Sequence, residues 1–413
     1  MNRRSLLGSL ALGCSTLAGC GGQDDPVRTS GNPSRDQSTA GSGEGETTWE
    51  TLRDQFGFEE RIDAVEDLGW DPEGNKPIDF WLTQSLDRDA LVEIPPGEYK
   101  IAESIAIDEI SNWGLLGLGE ERTDVRFVTT EGSRIDFKVL DGADLLFGNF
   151  TFDLGPEFDR SMGMTLFIDD NLRIHNVEKA GANPTSDPSG VSALALNVVN
   201  PGGEVLVDTF VRKGPQVFKG YPKNELCVFS GRSHAGTVPY RHLDIRNAGE
   251  NGVYASKCPG EVHVEGGFYK NNRNDGIRIS GEGSYVKGAT VVVNSNDYHP
   301  DNRGIDGQMR GIRMQSGDKG YTGGLIEDTE LELRSAVRSQ SLVHIAHNQG
   351  GMTIRNTDLR NWTDFFSFRA VAPSDHVDEP LGVTLENVQI EEHGGFGSAL
   401  KIDSRPNSTL RNV

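Results

Sequence analysis

Gly252 to Gly288 reads GVYASKCPGEVHVEGGFYKNNRNDGIRISGEGSYVKG. Short runs of alternating apolar and polar residues are separated by Gly, Asn and Asp, and no helical period runs through them. Such alternation produces strands with one buried face. Gly276-Ile277-Arg278-Ile279 returns as Gly311-Ile312-Arg313-Met314. A strand that recurs at tens of residues builds a coil of stacked turns, in which each turn buries its apolar face against the next.

A second element keeps the register. It has the form apolar-x-apolar-x, then Asn, Asp or Gly, then a further apolar residue. Its bend residues are Asn149, Asn176, Asp208, Asn247, Gly266, Gly288, Asp328, Asn356, Asn387 and Asn412. The steps run from 19 residues (Asn247 to Gly266) to 40 (Gly288 to Asp328). That is too uneven for a helical repeat array, but it suits fixed strands joined by turns that accept insertions. Asn, Asp and Gly all tolerate the left-handed backbone of a sharp bend. Stacked Asn side chains would also hydrogen-bond along the coil axis.

These features resemble the right-handed parallel β-helix of the pectate-lyase-like superfamily, over about residues 60 to 413. The order Leu68-Gly69-Trp70-Asp71-Pro72, Ile94-Pro95-Pro96-Gly97-Glu98-Tyr99, Gly117-Leu118-Gly119 resembles its first coils, where Pro-Pro-Gly and Gly-x-Gly are structural. Gly117-Leu118-Gly119 is not a nucleotide loop, because the third glycine is missing and no helical pattern follows. The resemblance implies an all-β solenoid with a short N-terminal helical cap. It implies no single activity, since the fold hosts lyases, hydrolases, epimerases and non-enzymatic adhesins.

The 413 residues include 51 Gly, with an aromatic fraction of 8% and a mean hydropathy of -0.47. Asp and Glu number 62 against 40 Lys and Arg, a formal charge of -22. Such a surface repels phosphate backbones, so nucleic acid is excluded as a partner. The acidity reads either as simple solubility or as adaptation to high salt, where screening removes self-repulsion.

Residues 1–20 read as a targeting segment: Arg3-Arg4 precede a short apolar run that ends Leu17-Ala18-Gly19-Cys20. The run is too short to span a bilayer. It resembles a twin-arginine export signal ending in a lipobox, with Cys20 lipidated and anchoring the chain to the membrane. An ordinary cleaved signal is the alternative. Together with the acidity, these features resemble a haloarchaeal surface lipoprotein, placed outside the cell. Residues 21–48 hold no large apolar residue beyond Val27 and read as a disordered tether. Residues 49–90 are expected to form a helical cap, with Ile62, Val65 and Leu68 on one helical face and a second short helix around Phe80-Trp81-Leu82. Residues 91–413 form the β-helix, expected as a monomer. The chain stops at Leu410-Arg411-Asn412-Val413 within the strand pattern, so the last coil is expected to be covered by further chain or another element. Cys227 and Cys258 are read either as a disulfide or as two buried thiols, and their spacing does not suit zinc.

In each G-I-x-I strand the flanking apolar residues point inward and the middle residue points outward. Aligned strands predict a solvent-facing column of Tyr254, Arg278, Arg313, His344, Ser367 and Lys401 at successive coils about 4.8 Å apart. A basic stripe on so acidic a chain suits an acidic polysaccharide, whose carboxylates Arg grips in bidentate fashion. Arg273, Arg310 and His347 flank the column. Asn294 to Arg310 is a long insertion expected to bring Asp297, Tyr298, His299, Asp301, Arg303 and Asp306 to the rim of a groove.

Two chemistries fit. A lyase removes the proton alpha to a uronate carboxylate, with His344, Arg313 or Lys401 as base. The developing charge would be neutralised by Arg, or by Ca2+ on Asp275, Asp301 and Asp306. A hydrolase would use Asp275 and Asp306 as its carboxyl pair. The polygalacturonase-like pattern is poorly matched: only Asn274-Asp275 and Arg313 are similar, and no Gly-His-Gly occurs. A non-catalytic glycan- or envelope-binding surface protein is the rival. It would present a flat stripe, whereas an enzyme converges carboxylates and a base within a few ångströms.

Overall fold

The computed structural model describes residues 49–86, 89–184, 192–217, 225–302, 304, 307–394 and 398–413. Cys20, the targeting segment and the tether lie outside these residues, as do Arg303 and Asp306. The described chain is a right-handed parallel β-helix whose 29 strands pair with the equivalent strand of the next coil, always in parallel. Each coil visits three sheets in turn. Sheet 1 includes Asp275–Ile279, Arg310–Met314 and Ser341–Ile345. Sheet 2 includes Glu261–Glu265, Tyr285–Lys287 and Leu325–Glu327. Sheet 3 includes Phe268–Lys270, Thr290–Asn294 and Glu330–Ser335. Some coils run through all three almost without a break, as in Arg134–Asp153 and Ser161–Ala180.

The bends between sheets 2 and 3 are left-handed at Asn149, Asn176, Gly266, Gly288, Asp328, Asn356, Asn387 and Asn412, with φ between 50° and 67°. Two expected bends move. Thr209 at φ 61°, not Asp208, turns its coil, because the Asp208 side chain is held on the outer face of sheet 2 by an ion pair with Arg173 and a hydrogen bond with His175. His242 turns the next coil, and Asn247 serves the bend after sheet 3 instead. The Asn stack forms as expected. Asn176 Nδ2 donates to Asn149 Oδ1 at 2.8 Å, and Asn412, Asn387, Asn356 and Asp328 make a second ladder at 3.0 to 3.2 Å. Asn149 also donates to the Gly117 and Gly119 carbonyls at 3.0 and 2.8 Å. A Cβ on Gly117 would lie 2.0 Å from the Asn149 carbonyl oxygen, so Gly-x-Gly here is a close backbone approach.

One apolar core runs through the coil, from Ile62 and Trp70 to Leu385 and Val388. Ile62 is not in a helix. It lies in the strand Glu60–Asp63, opposite Val92 of the next coil, and Asp63 Oδ1 accepts from Val65 and Glu66 N–H at 2.8 Å to close the turn that follows. The pairing edge of the second coil overrides a helical spacing of three apolar residues. Helices occur instead at Trp49–Phe56 and Asp79–Thr83. The first covers Leu91, Leu116 and Leu146, an apolar patch on the outside of sheet 2, with Trp49 and Phe56, joined by Phe58 just after its end. The second buries Leu82 in the main core and leaves Phe80 and Trp81 exposed. Cys227 and Cys258 are buried free thiols, not a disulfide. Burial pushes the Cys258 thiol up to about 12.

Candidate functional site

Strand register places Tyr254 opposite Arg278, then Arg313, His344, Arg369 and Lys401 on successive coils of sheet 1. The expected column is present with one correction: Arg369, not Ser367, continues it. Ser367 is buried and hydrogen-bonds Glu392. The column begins on an aromatic platform. Phe229 pairs with Tyr254, the two rings 5.6 Å apart, and the Arg278 guanidinium lies 4.3 Å over the Tyr254 ring. The column is not an open stripe: Tyr254 is 6% and His344 3% exposed.

The same molecule shows what an ordinary outer column looks like. On sheet 2, Arg241, Glu265, Lys287, Glu327, Arg355, Glu386 and Arg411 stand at equivalent positions of successive coils. Signs alternate at every step, with ion pairs such as Arg241–Glu265 at 2.5 Å and Lys287–Glu327 at 3.3 Å. Sheet 1 stacks Arg278, Arg313, His344, Arg369 and Lys401 with no acid between them. Two like charges one coil apart repel by about 3 to 4 kcal/mol at an effective dielectric of about 20.

A second row enters beside the column. Asp275 lies opposite Arg310 in register, and Arg310 Nε donates to Asp275 Oδ1 at 2.5 Å. Arg313 Nη1 is 4.0 Å from Asp275 Oδ2. Asp275 and Arg310 are both buried, and Arg310 also reaches Gln340 Oε1 at 2.8 Å and the Gln308 amide. Burial alone would raise Asp275, but the Arg310, Arg313 and Arg278 guanidiniums outweigh it and hold the carboxyl below its ordinary value. Burial, then the neighbouring Arg310, pushes Arg313 down to about 9. Burial and the surrounding arginines keep His344 well below the usual histidine range, so its ring is uncharged, with Nδ1 3.3 Å from Ser341 Oγ. His347 is lowered too, by burial and by Arg313. Among the described residues, buried atoms of this cluster without a hydrogen-bond partner include Nε of Arg278, Arg313 and Arg369, and Oδ2 of Asp275.

Glu250 belongs to the cluster and escaped the sequence reading. It stands four residues before Tyr254, as Asn274 stands four before Arg278, so the register of the two coils sets it beside Asn274. Asn274 N–H donates to the Glu250 carbonyl at 2.9 Å, and the Asn274 amide donates to Glu250 Oε2. Asn251 Nδ2 reaches the same oxygen at 3.1 Å. Burial is the leading cause that lifts this carboxyl to about 7, helped by the Asp275 charge against the Asn274 hydrogen bond and Arg278.

The remaining expected residues divide. Arg273 borders the cluster, its N–H bonded to the Ala248 carbonyl at 3.1 Å. Lys401 sits at the far end, paired with Asp403 at 3.3 Å. The described part of the insertion does not lift Asp297 or Asp301 over the column. It folds toward earlier coils: Tyr298 is buried, His299 packs edge-on to Phe158 at 5.6 Å, and Asn302 Nδ2 donates to the Gln216 carbonyl at 2.8 Å. Asp297 pairs with Lys270 at 3.0 Å, and Asp301 stays exposed beside His299. Asp306 lies outside the described residues. Among the described residues no three His, Cys, Asp or Glu side chains converge as a metal cage. Asp275, ringed by guanidiniums, does not fit a Ca2+ site, since its charge is already neutralised.

No protein-family model matches the chain, and no curated protein matches it in sequence. Similar solved structures include two A-modules from Azotobacter vinelandii. The A-module of mannuronan C-5 epimerase AlgE4 shows 12% identity and a TM-score of 0.49, over 84% of this chain and 99% of that one. The AlgE6 A-module shows 13% and 0.44, over 85% and 99%. The family 28 exopolygalacturonase of Yersinia enterocolitica shows 9% and 0.38, over 86% and 78%. Identities this low leave the activity of this chain to its own side chains.

Proposed function

We propose that the sheet-1 face binds an acidic, uronate-bearing polysaccharide and cleaves it by β-elimination. The observation that supports this reading is a row of cations with no acid in the row itself, in which Nε of Arg278, Arg313 and Arg369 has no hydrogen-bond partner among the described residues. Guanidinium groups with unused donors are suited to carboxylates from outside, bound in bidentate pairs. Neutralising a uronate carboxylate makes its alpha proton removable, because the charge that develops is met by cations already in place. His344 is the base: burial first and the neighbouring arginines second keep it uncharged, and those arginines are the groups the substrate's carboxylate would balance. The export signal and the lipid anchor on Cys20 belong to the same proposal, since they would place the site outside the cell where such polymers occur.

A second reading, glycoside hydrolysis, is favoured by one observation: Glu250 and Asp275 are carboxyls on adjacent coils whose environments push their protonation in opposite directions.

Incubation of residues 49–413 with pectate, alginate and other uronic-acid polymers, followed at 235 nm, tests the first reading. Elimination produces an unsaturated, absorbing product. The expected result is a rising signal that falls at least tenfold in Arg313→Ala and in Arg369→Ala. New reducing ends without absorbance would select hydrolysis. Neither signal on any polymer would leave a binding surface only.

A further inference from the structure

We propose that Glu250 is the group that donates a proton to the departing glycosidic oxygen. This rests on the hydrolytic form of the cleavage reading above, and elimination as the observed chemistry would overturn it.

The geometry sets Glu250 apart from the other carboxyl of the site. Its side chain is buried in the short link between Arg246 and Val253, where sheet 3 hands over to sheet 1. Both amide donors, Asn251 Nδ2 and Asn274 Nδ2, fall on Oε2. No hydrogen bond from the described residues reaches Oε1. The carboxyl is therefore oriented through one oxygen while the other stays available for a proton. Asp275, one coil on, is bonded to Arg310 and faces Arg313. The arginines hold Asp275 anionic, and that charge, with burial, favours a proton on Glu250. Gly252 N–H donates to the Asp275 carbonyl at 3.0 Å, so the two links are tied side by side.

His344 stands three coils, about 14 Å, beyond the Glu250 coil, too far for the two to act on one sugar in elimination, so the partner of Glu250 is Asp275, one coil on. In hydrolysis the step balances as follows. The glycosidic bond breaks, its electrons stay on the leaving oxygen, and that oxygen takes the Glu250 proton. A water oxygen bonds to the anomeric carbon and gives one proton to the Asp275 carboxylate. Glu250 ends as a carboxylate and Asp275 as a carboxylic acid, with no oxidant or further reactant required. A positioned acid of this kind contributes about 100- to 10,000-fold.

The test is Glu250→Gln, which keeps shape and the oxygen that accepts from both amides, assayed by product formation and by polymer binding from pH 5 to 9. The expected outcome is a loss of about 100-fold or more in kcat with polymer affinity within twofold of wild type. The wild-type rate should decline above about pH 7, and that limb should be absent from the residual activity of the variant. Asn274→Ala supplies a second check. Removing a donor to the carboxylate should move the limb to higher pH, an effect that a purely structural role would not produce. An active Glu250→Gln enzyme that keeps the limb overturns this inference and leaves the cleavage reading intact. A wild-type protein that binds polymers and cleaves none overturns both.

Discussion

Two positions separate Ser367 from Arg369, and the choice between them shows what a residue's identity can and cannot reveal. The cations of sheet 1 were legible as a column because strict alternation gives each strand an inside and an outside. Phe366-Ser367-Phe368-Arg369-Ala370 alternates as well, so its register depended on which Phe faces the core. Phe368 takes that place, opposite Val343, and sends Arg369 outward. Glu250 was hidden for a different reason. A glutamate between Gly249 and Asn251 reads as a loop residue, and only burial beside Asp275 changes its chemistry. That burial has a consequence independent of any substrate. A carboxyl raised in the folded state stabilises the protein while protonated, below the unfolded value near 4.5, and the contribution is lost as pH climbs to about 7. The difference corresponds to about 3 kcal/mol. Thermal melts between pH 4.5 and 8 should show wild type losing stability relative to Glu250→Gln over that window. Parallel curves would mean that Glu250 titrates as an exposed acid.

At the scale of elements, the helix Trp49–Phe56 and the first coil illustrate a competition. Ile62, Val65 and Leu68 carry a helical spacing, yet Ile62 joins a strand because Val92 offers a parallel edge and a core to enter. An exposed sheet edge is costly, so the chain pairs with it before satisfying a weak helical preference. The helix that does form has a different task, covering Leu91, Leu116 and Leu146 on an outer face that would otherwise be apolar and wet. Leu52 is its fully buried residue. Leu52→Ala should lower stability by about 2 to 3 kcal/mol while the β-sheet signal of the folded protein persists. An unchanged denaturation midpoint would show that the helix does not depend on this contact. The bends tell the same story on a smaller scale: Asn, Asp and Gly marked most of them correctly, but Thr209 and His242 adopt the left-handed conformation because the flanking strands are held by neighbours above and below.

The whole molecule carries a charge of -22 and yet stacks Arg278, Arg313, Arg369 and Lys401 in one row of sheet 1. These two facts predict opposite responses to salt. The acidic surface repels itself, and screening relieves the repulsion, so the melting temperature should rise between 0.1 and 2 M KCl. Binding of a polyanion to the sheet-1 column should weaken over the same range, because the attraction is screened too. A protein whose stability falls with KCl would remove the proposal of high-salt adaptation. If polymer binding ignored salt, the column would not be what holds the polymer.

The stacked coil, most of the recurring bend residues and the basic column follow from local order in the chain: side-chain alternation and left-handed backbone preference act within a few residues of each position. Which charges are paired, which carboxyl keeps its proton and where the described part of the long insertion lies follow from the folded coil. Those outcomes depend on groups brought together from different coils. Asp275 draws on Arg310 and Arg313, Glu250 on Asn274, and Asn302 on Gln216. Electrostatics and burial act through space, and in a solenoid the decisive neighbour is one coil away, at a distance along the chain that each insertion resets.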